Sequence, residues 1–157
     1  MIDMNEKIQR LVMHEGCKLT PYRCSAGYLT IGVGRNLETN PLTEEEKRAC
    51  GDYMHGITKN AAFLLLRNDI KRVTKECSEC IPFWNQLDDE RKYALFDMNF
   101  QLGLDGLLGF KKMLKAMGTG NFKEASEHCL DSKYARLDTP IRAKRIAETI
   151  RTGRFRV

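Results

Sequence analysis

The 157-residue sequence lacks the signals of several protein classes. Its longest apolar run, Ala61–Leu66, is far shorter than the roughly 20 residues that a membrane-spanning helix needs. The N-terminus lacks the charged-then-apolar pattern of a secretory signal, which predicts synthesis in the cytosol without export of its own. There are no repeats and no low-complexity segments. With 42% hydrophobic and 30% charged residues, the composition suits a folded globular domain rather than a disordered chain.

Metal and redox motifs are also scarce, although the chain has six cysteines. Cys77 and Cys80 form a CxxC motif, but no second pair follows at the spacing of a zinc ribbon. The motif falls at the end of a predicted helix, not in the strand-to-helix turn of a redox protein. We interpret it as structural, and we expect no metal and no other cofactor.

The net charge of +5 is modest. Positive charge favours an anionic partner such as nucleic acid, a membrane surface or a cell wall, but it can equally serve solubility alone. No signature of a nucleic-acid-binding module is present, and no run of like charges exceeds a few residues. A nucleic-acid partner would therefore rest on charge alone, and we do not expect one.

In the first third of the chain, the sequence predicts one helix followed by a small sheet. Apolar side chains at helical spacing predict a helix over residues 3–14. Strand-favouring residues over 17–37 predict an antiparallel hairpin, with a third strand near Leu37. The sequence Thr43–Glu46 is a capping box, which predicts a short helix ending near Cys50.

The rest of the chain is predicted to be helical, beginning with a long helix over 59–80 that Thr58 caps and Pro82 ends. Four further helices are expected: from Asp88 or Asp89 to Gly103, from Leu107 to Met117, from Asn121 to Leu130, and from Thr139–Pro140 to Arg151 with Gly153 behind it.

These elements predict a mostly helical α+β fold in a single domain over 1–157. Within it we expect a small α/β lobe over 15–58, a connecting helix over 59–80 and a larger helical lobe over 81–157. The N-terminal helix over 3–14 is expected to join the helical lobe. This layout predicts a cleft between the lobes.

The most informative segment begins where the first helix ends. Glu15 is followed after eight residues by Cys24, and Thr30 comes after five more, at the start of the run Thr30–Gly34. This spacing can bring an acid, a thiol and a hydroxyl to one wall of a cleft. Spacing alone is weak evidence, because a glutamate at a helix end is more often solvated and a threonine is common in strands.

A second segment, Thr139–Arg145, and the run Arg151–Gly153 make the pattern specific. Together with the first segment they resemble the signature of the phage-type lysozymes, also called endolysins or glycoside hydrolase family 24. The resemblance covers essentially the whole chain. It implies a lysozyme-like fold, in which a small antiparallel-sheet lobe and a larger helical lobe, joined by a long helix, flank the active-site cleft.

The resemblance implies an enzyme that hydrolyses the β-1,4 bond between N-acetylmuramic acid and N-acetylglucosamine in bacterial peptidoglycan and so lyses the host cell. Glu15 is then the general acid, and Thr30 positions the attacking water. Cys24 stands where many relatives have aspartate. It could act as a base, as a water-positioning group or as a nucleophile, and we favour the water route. The alternative is a catalytically impaired protein that binds peptidoglycan without cutting it.

Other positions follow from the same resemblance. Arg142 is expected to lie near the catalytic glutamate and position it, and Phe100 and Gln101 are expected to line the sugar groove, although a phenylalanine also suits a core. Gly34 is expected to shape the sharp hairpin. Arg35–Asn36 replaces a histidine and a leucine on the cleft lip of relatives, so subsite contacts are expected to differ.

The resemblance also implies a cellular setting. The protein is expected to accumulate as a monomer in the host bacterial cytoplasm. It would reach the periplasm and cell wall after a holin permeabilises the membrane. Bacterial peptidoglycan is the expected partner, and no stable membrane association is expected.

Overall fold

The computed structural model describes residues 2–155, except for the side chains of residues 137 and 138. The ends of the predicted domain over 1–157 therefore lie outside the described residues. The chain forms two compact units. The first comprises Asp3–Arg72, and the second comprises Ile2 and the described residues from Val73 onward.

The first unit contains a small sheet and the helices around it. Its elements in chain order are α1 (Met4–Glu15), β1 (Lys18–Arg23), β2 (Leu29–Gly32), β3 (Arg35–Asn36), α2 (Glu44–Cys50), a 3₁₀ turn (Tyr53–His55) and the first part of α3 (Lys59–Cys80). The strands form an antiparallel sheet in the order β1–β2–β3. The predicted first helix, hairpin and third strand are confirmed.

Helix boundaries in this unit follow local side-chain chemistry. The carboxylate of Asp3 accepts a hydrogen bond from the Glu6 N–H at 2.9 Å and so caps α1. The Thr43 hydroxyl accepts from the Glu46 N–H, and the Glu46 carboxylate accepts from the Thr43 N–H, which confirms the capping box. The Thr58 hydroxyl accepts from the Ala61 N–H at the start of α3, as predicted.

The core of the first unit lies between β2, α2 and α3. Ile31 in β2 is fully buried, and its strand neighbours Thr30 and Gly32 are buried as well. It packs with apolar side chains that include Leu42, Ile57, Ala62 and Leu65. The sheet is thereby held against the first half of α3, which fixes the strands that carry the candidate site.

The second unit is helical. It contains the end of α3 and, in order, a 3₁₀ turn (Trp84–Gln86), α4 (Asp89–Leu108), α5 (Lys111–Gly118), α6 (Phe122–Leu130), a π-helical turn (Tyr134–Asp138) and α7 (Pro140–Thr152). Together, the two units confirm the predicted mostly helical α+β fold. Asn121 caps α6, and Gly153 ends α7 in a left-handed conformation, both as predicted.

Two predicted boundaries in this unit are wrong. Gly103 was expected to close a helix, but α4 kinks there (φ +80°, ψ 163°) and continues to Leu108. The helix resumes because later backbone groups still pair, as in the bond from the Gly109 N–H to the Asp105 carbonyl at 3.0 Å. The following helix consequently begins at Lys111, not at Leu107.

The start of α7 also differs in one respect from its prediction. Pro140 occupies the first turn as expected. Thr139 precedes it, but its hydroxyl makes no capping bond and instead accepts a hydrogen bond from the Gln101 amide at 3.0 Å. The π-helical turn before it was not predicted.

Helix α1 belongs to the same compact unit as the sheet. The expected place of residues 3–14 was in the helical lobe, and the division of the chain into lobes stays a prediction. Within residues 2–155, no helix combines the length and the apolar character that crossing a bilayer would require.

Candidate active site

Glu15 is the last residue of α1, and its carboxyl group packs against Gly34 in the turn between β2 and β3. Gly16, at φ +69°, ends the helix and donates its N–H to the Val12 carbonyl at 2.8 Å. A Cβ built on Gly34 would lie 3.2 Å from Glu15 Cδ and 3.3 Å from Oε2. Gly34 also has a φ of +73°, which side chains rarely tolerate. Two of the predicted site residues are thus in close contact.

Cys24 and Thr30 are brought together by the turn that joins β1 to β2. The Cys24 N–H donates to the Tyr28 carbonyl at 3.0 Å, and the Gly27 N–H donates to the Cys24 carbonyl at 2.8 Å. Thr30 is buried in β2, and its hydroxyl lies 2.8 Å from the Tyr28 carbonyl. The turn therefore holds the thiol beside the hydroxyl.

The surroundings of the Cys24 sulfur favour its thiolate. Burial acts to raise the pKa of Cys24, but hydrogen bonds from the backbone at Tyr28 and Ala26 and from the Thr30 hydroxyl act against it. The net result is a pKa below the ordinary value of a thiol. Because the thiolate is the basic and nucleophilic form, a lowered pKa makes Cys24 more competent at neutral pH.

Tyr22 is a site residue that the sequence analysis missed. It lies opposite Thr30 in the sheet and two residues before Cys24, which directly follows β1. Burial raises the pKa of Tyr22, and the negative charges of Glu15, Cys24 and Cys17 raise it further. The phenol therefore stays protonated, within electrostatic reach of both Glu15 and Cys24. The two-residue spacing from Cys24 is the signal that could have identified it.

The side chain of Arg35 points into the protein, and the expected difference in subsite contacts stays a prediction. Arg35 is only 5% exposed. Its guanidinium donates to both carboxylate oxygens of Glu46, at 2.6 and 3.0 Å, and lies 3.3 Å from Asp69 Oδ1. A buried guanidinium needs such partners. Asn36 serves the turn locally, because its Oδ1 accepts the N–H groups of residues 38 and 39.

Arg142, in the second unit, is bound to a buried carboxylate on α4. Its Nε donates to Asp97 Oδ2 at 3.2 Å, and its Nη2 donates to Asp97 Oδ1. Asp97 is 1% exposed, so this is a buried ion pair with two parallel bonds. The sequence analysis missed Asp97, although an acidic residue on a buried helix face is a recognisable signal. The predicted contact of Arg142 with the catalytic glutamate stays a prediction.

Gln101 and Phe100 lie in the same helix, α4. The Gln101 amide nitrogen donates to the Thr139 hydroxyl at 3.0 Å, and its oxygen accepts from the Tyr134 hydroxyl at 3.1 Å. The Phe100 ring is half-buried, with its centroid 6.2 Å from that of Phe96. The Gln101 amide thus ties α4 to the segment before α7, and sugar binding by either residue stays a prediction.

Among the residues that the structure describes, no group of three or more histidine, cysteine, aspartate or glutamate side chains is arranged to hold a metal ion. The chemistry that the first unit offers is acid–base chemistry. It combines a carboxyl group at a helix end, a thiol of lowered pKa and a hydroxyl beside that thiol.

Comparison with known proteins gives a family match over most of the chain. The family model described as "Phage lysozyme" matches residues 12–145. The chain is 32% identical over 153 residues to "Probable T4-type lysozyme 1" of Dictyostelium discoideum, covering 88% of this chain and 89% of that protein. It is 29% identical to "Probable T4-type lysozyme 2" of the same organism, with the same coverage.

A third similarity is to part of a longer protein. The chain is 30% identical over 165 residues to "Pre-baseplate central spike protein Gp5" of Enterobacteria phage T4. The match covers 97% of this chain but spans only 28% of the length of that protein.

Proposed function

The chain belongs to the phage lysozyme family, a family of glycosidases, and on this basis we propose that it hydrolyses the β-1,4 bond between N-acetylmuramic acid and N-acetylglucosamine in bacterial peptidoglycan. The observation that carries the proposal is the turn after β1, where the Cys24 N–H donates to the Tyr28 carbonyl and the Thr30 hydroxyl lies 2.8 Å from that same carbonyl, in the unit that also holds Glu15. The same unit therefore carries both the proposed acid and the proposed base.

In the proposed reaction, Glu15 donates its proton to the oxygen of the departing sugar. Water attacks the anomeric carbon, and its proton passes to the Cys24 thiolate. Because the lysozyme route that we favour uses water rather than a covalent enzyme–sugar bond, the product has inverted configuration. At the end of the cycle the proton returns from Cys24 to Glu15 through solvent.

Thr30 has a specific part in this scheme. A hydroxyl has one proton to donate and two lone pairs with which to accept. The Thr30 proton can go to the Tyr28 carbonyl or to the Cys24 sulfur, since both are partners of the same oxygen. In either case a lone pair remains to accept a hydrogen bond from the attacking water. The other proton of that water can then point at the thiolate.

The wider role is proposed on the same basis. We propose that the enzyme acts as a monomer, is held in the host bacterial cytoplasm, and reaches the cell wall when a holin permeabilises the membrane. What supports this setting is the phage origin of the family and a net charge of +5, which favours approach to an anionic wall. Arg142, Phe100 and Gln101 are proposed to contact substrate or the acid.

The test is hydrolysis of purified peptidoglycan under reducing conditions by the wild type and by Glu15→Gln. Removing the general acid should lower the rate about 10²- to 10⁴-fold. Glu44→Gln makes the same chemical change at an exposed position of α2 and should leave the rate unchanged. Full activity of Glu15→Gln would remove Glu15 from its role. A wild type that binds peptidoglycan without hydrolysing it would identify the impaired binding protein instead.

A further inference from the structure

The Arg35 guanidinium is surrounded by oxygens. Its Nε donates to the Asn40 carbonyl at 2.9 Å, and its Nη2 lies 3.4 Å from the Pro41 carbonyl and 2.6 Å from Glu46 Oε1. Its Nη1 lies 3.0 Å from Glu46 Oε2 and 3.3 Å from Asp69 Oδ1. A guanidinium has five N–H donors in a rigid fork, so the four oxygens that accept its hydrogen bonds use most of this capacity, and Asp69 adds an ion pair.

These oxygens belong to three different parts of the first unit. Asn40 and Pro41 lie in the loop after β3, Glu46 lies in α2 and Asp69 lies in α3. Glu46 is itself completely buried, and it also accepts the side-chain amide of Asn68 on α3 at 3.0 Å. Arg35 therefore anchors β3 to both helices.

The anchored residue directly follows the turn that contacts the proposed acid. Gly34 has Arg35 on one side and Val33 on the other, and Val33 is 2% exposed. Both neighbours of Gly34 are thus fixed inside the protein. Gly34 has no side chain of its own with which to hold a position, and the carboxyl group of Glu15 packs directly on it.

We propose that Arg35 is a positioning residue of the glycosidase reaction, which holds the Gly34 turn, and through it the Glu15 carboxyl group, in place. This inference rests on the proposed function. Arg35 acts through Gly34 and does not touch the substrate. The role requires the planar fork of arginine, because a lysine ammonium could keep the charge but could not bind both Glu46 oxygens and two loop carbonyls at once.

The test is the kinetics of Arg35→Lys on soluble peptidoglycan fragments, at a temperature where circular dichroism shows each variant fully folded. A loosened acid should lower kcat about tenfold or more while KM changes less than twofold, because a shift of one ångström in a reacting group can cost about 10²-fold. Arg48→Lys, an exposed position of α2, is the matched control and should retain wild-type kcat.

A second control separates positioning from general loss of stability. Met117→Ala opens a cavity in the core of the second unit, outside the unit that holds the turn. It should lower the melting temperature without changing kcat of the folded protein. If Arg35→Lys fails to fold, Glu46→Gln takes its place, because it keeps the shape and the cap of α2 but removes the charge that binds the fork.

A double-mutant cycle with Gly34→Ala completes the test. If Arg35 acts through the turn, the two substitutions affect the same contact and their effects on kcat are non-additive. Wild-type kcat in Arg35→Lys, an equal loss in Met117→Ala, or additive effects in the cycle would each overturn the positioning role while leaving the proposed function intact. A wild type without hydrolytic activity would overturn both.

Discussion

Gly34→Ala perturbs the contact between the hairpin turn and the proposed acid by a single methyl group. The added Cβ would lie 3.2 Å from Glu15 Cδ, 3.3 Å from Oε2 and 3.4 Å from Cγ. Contacts of this kind are optimal at about 3.5–4.0 Å, so the carboxyl group has to move by a few tenths of an ångström. Alanine must also adopt the φ of +73°, which costs about 1–2 kcal/mol.

The two effects predict separate magnitudes. The backbone cost should lower the melting temperature by about 2–8 °C, since 1 kcal/mol corresponds to about 2–4 °C in a chain of this size. The displaced carboxyl group should lower kcat about tenfold, scaled from the roughly 10²-fold cost of a 1 Å misplacement. Thermal unfolding and initial rates of peptidoglycan hydrolysis on the same preparations measure both.

Gly51→Ala is the matched control for backbone strain. Gly51 ends α2 at φ +60°, and a Cβ there would meet no atom within 4 Å. The variant should lose stability as Gly34→Ala does but keep the wild-type rate while folded. Wild-type activity in Gly34→Ala would refute the reasoning that the turn places Glu15. An equal loss of activity in Gly51→Ala would show that strain alone explains the effect.

Four further predictions concern other parts of the site and its support. Cys24→Ala should lose most of the hydrolytic rate, and Cys24→Asp should keep much of it. Thiol alkylation should inactivate the wild type but not Cys24→Asp. A fully active Cys24→Ala would show that the thiol has no part in the reaction. Burial acts to raise the pKa of Glu46, but hydrogen bonds from Arg35 and its other partners lower it to about 2. The Glu46 carboxylate therefore adds up to about 3 kcal/mol to the free energy of unfolding above pH 4.5, and this contribution is lost as the pH falls toward 2. Burial raises the pKa of Asp69 to about 6, although the nearby arginines act to lower it. The free energy of unfolding should therefore fall as the pH rises from about 4 to 6, and Asp69→Asn should remove that fall in urea titrations. A free energy of unfolding that does not change over this range would contradict the prediction. Asp97→Asn should destabilise the protein by about 3 kcal/mol in urea denaturation, because Arg142 loses its buried charged partner, and unchanged stability would show that the pair contributes nothing.

The helix boundaries that the sequence predicted correctly depend on neighbours only a few residues away. The reciprocal bonds of Thr43 and Glu46, the Asn121 cap and the left-handed Gly153 each need no partner from elsewhere in the chain. The kink at Gly103 is the exception, because a positive φ in a glycine is compatible with either an end or a kink. Whether the helix ends or only kinks at Gly103 depends on whether the backbone groups of the following residues form helical hydrogen bonds again.

The candidate site divides in the same way. Glu15, Cys24 and Thr30 were identifiable because their spacing along the chain matches a family signature. The role of Arg35 was not identifiable, because a charged residue next to a turn glycine is normally expected to be exposed. Its partners Glu46 and Asp69 lie in two different helices, and only the fold brings them to Arg35. Tyr22 and Asp97 each had a sequence signal, the two-residue spacing from Cys24 and a position on a buried helix face, but only the fold shows the partners that give them a role.

The sequence by itself determined the family, the mostly helical α+β class and the three residues proposed to carry the chemistry, because these depend on residue types at fixed separations. Only the tertiary structure decided that the acid packs on Gly34, that the turn after β1 lowers the pKa of Cys24, and that Arg35 is an internal anchor. Burial, contact distance and the pKa of a side chain arise from groups that the fold brings together from different parts of the chain. They take their values only when the chain is folded.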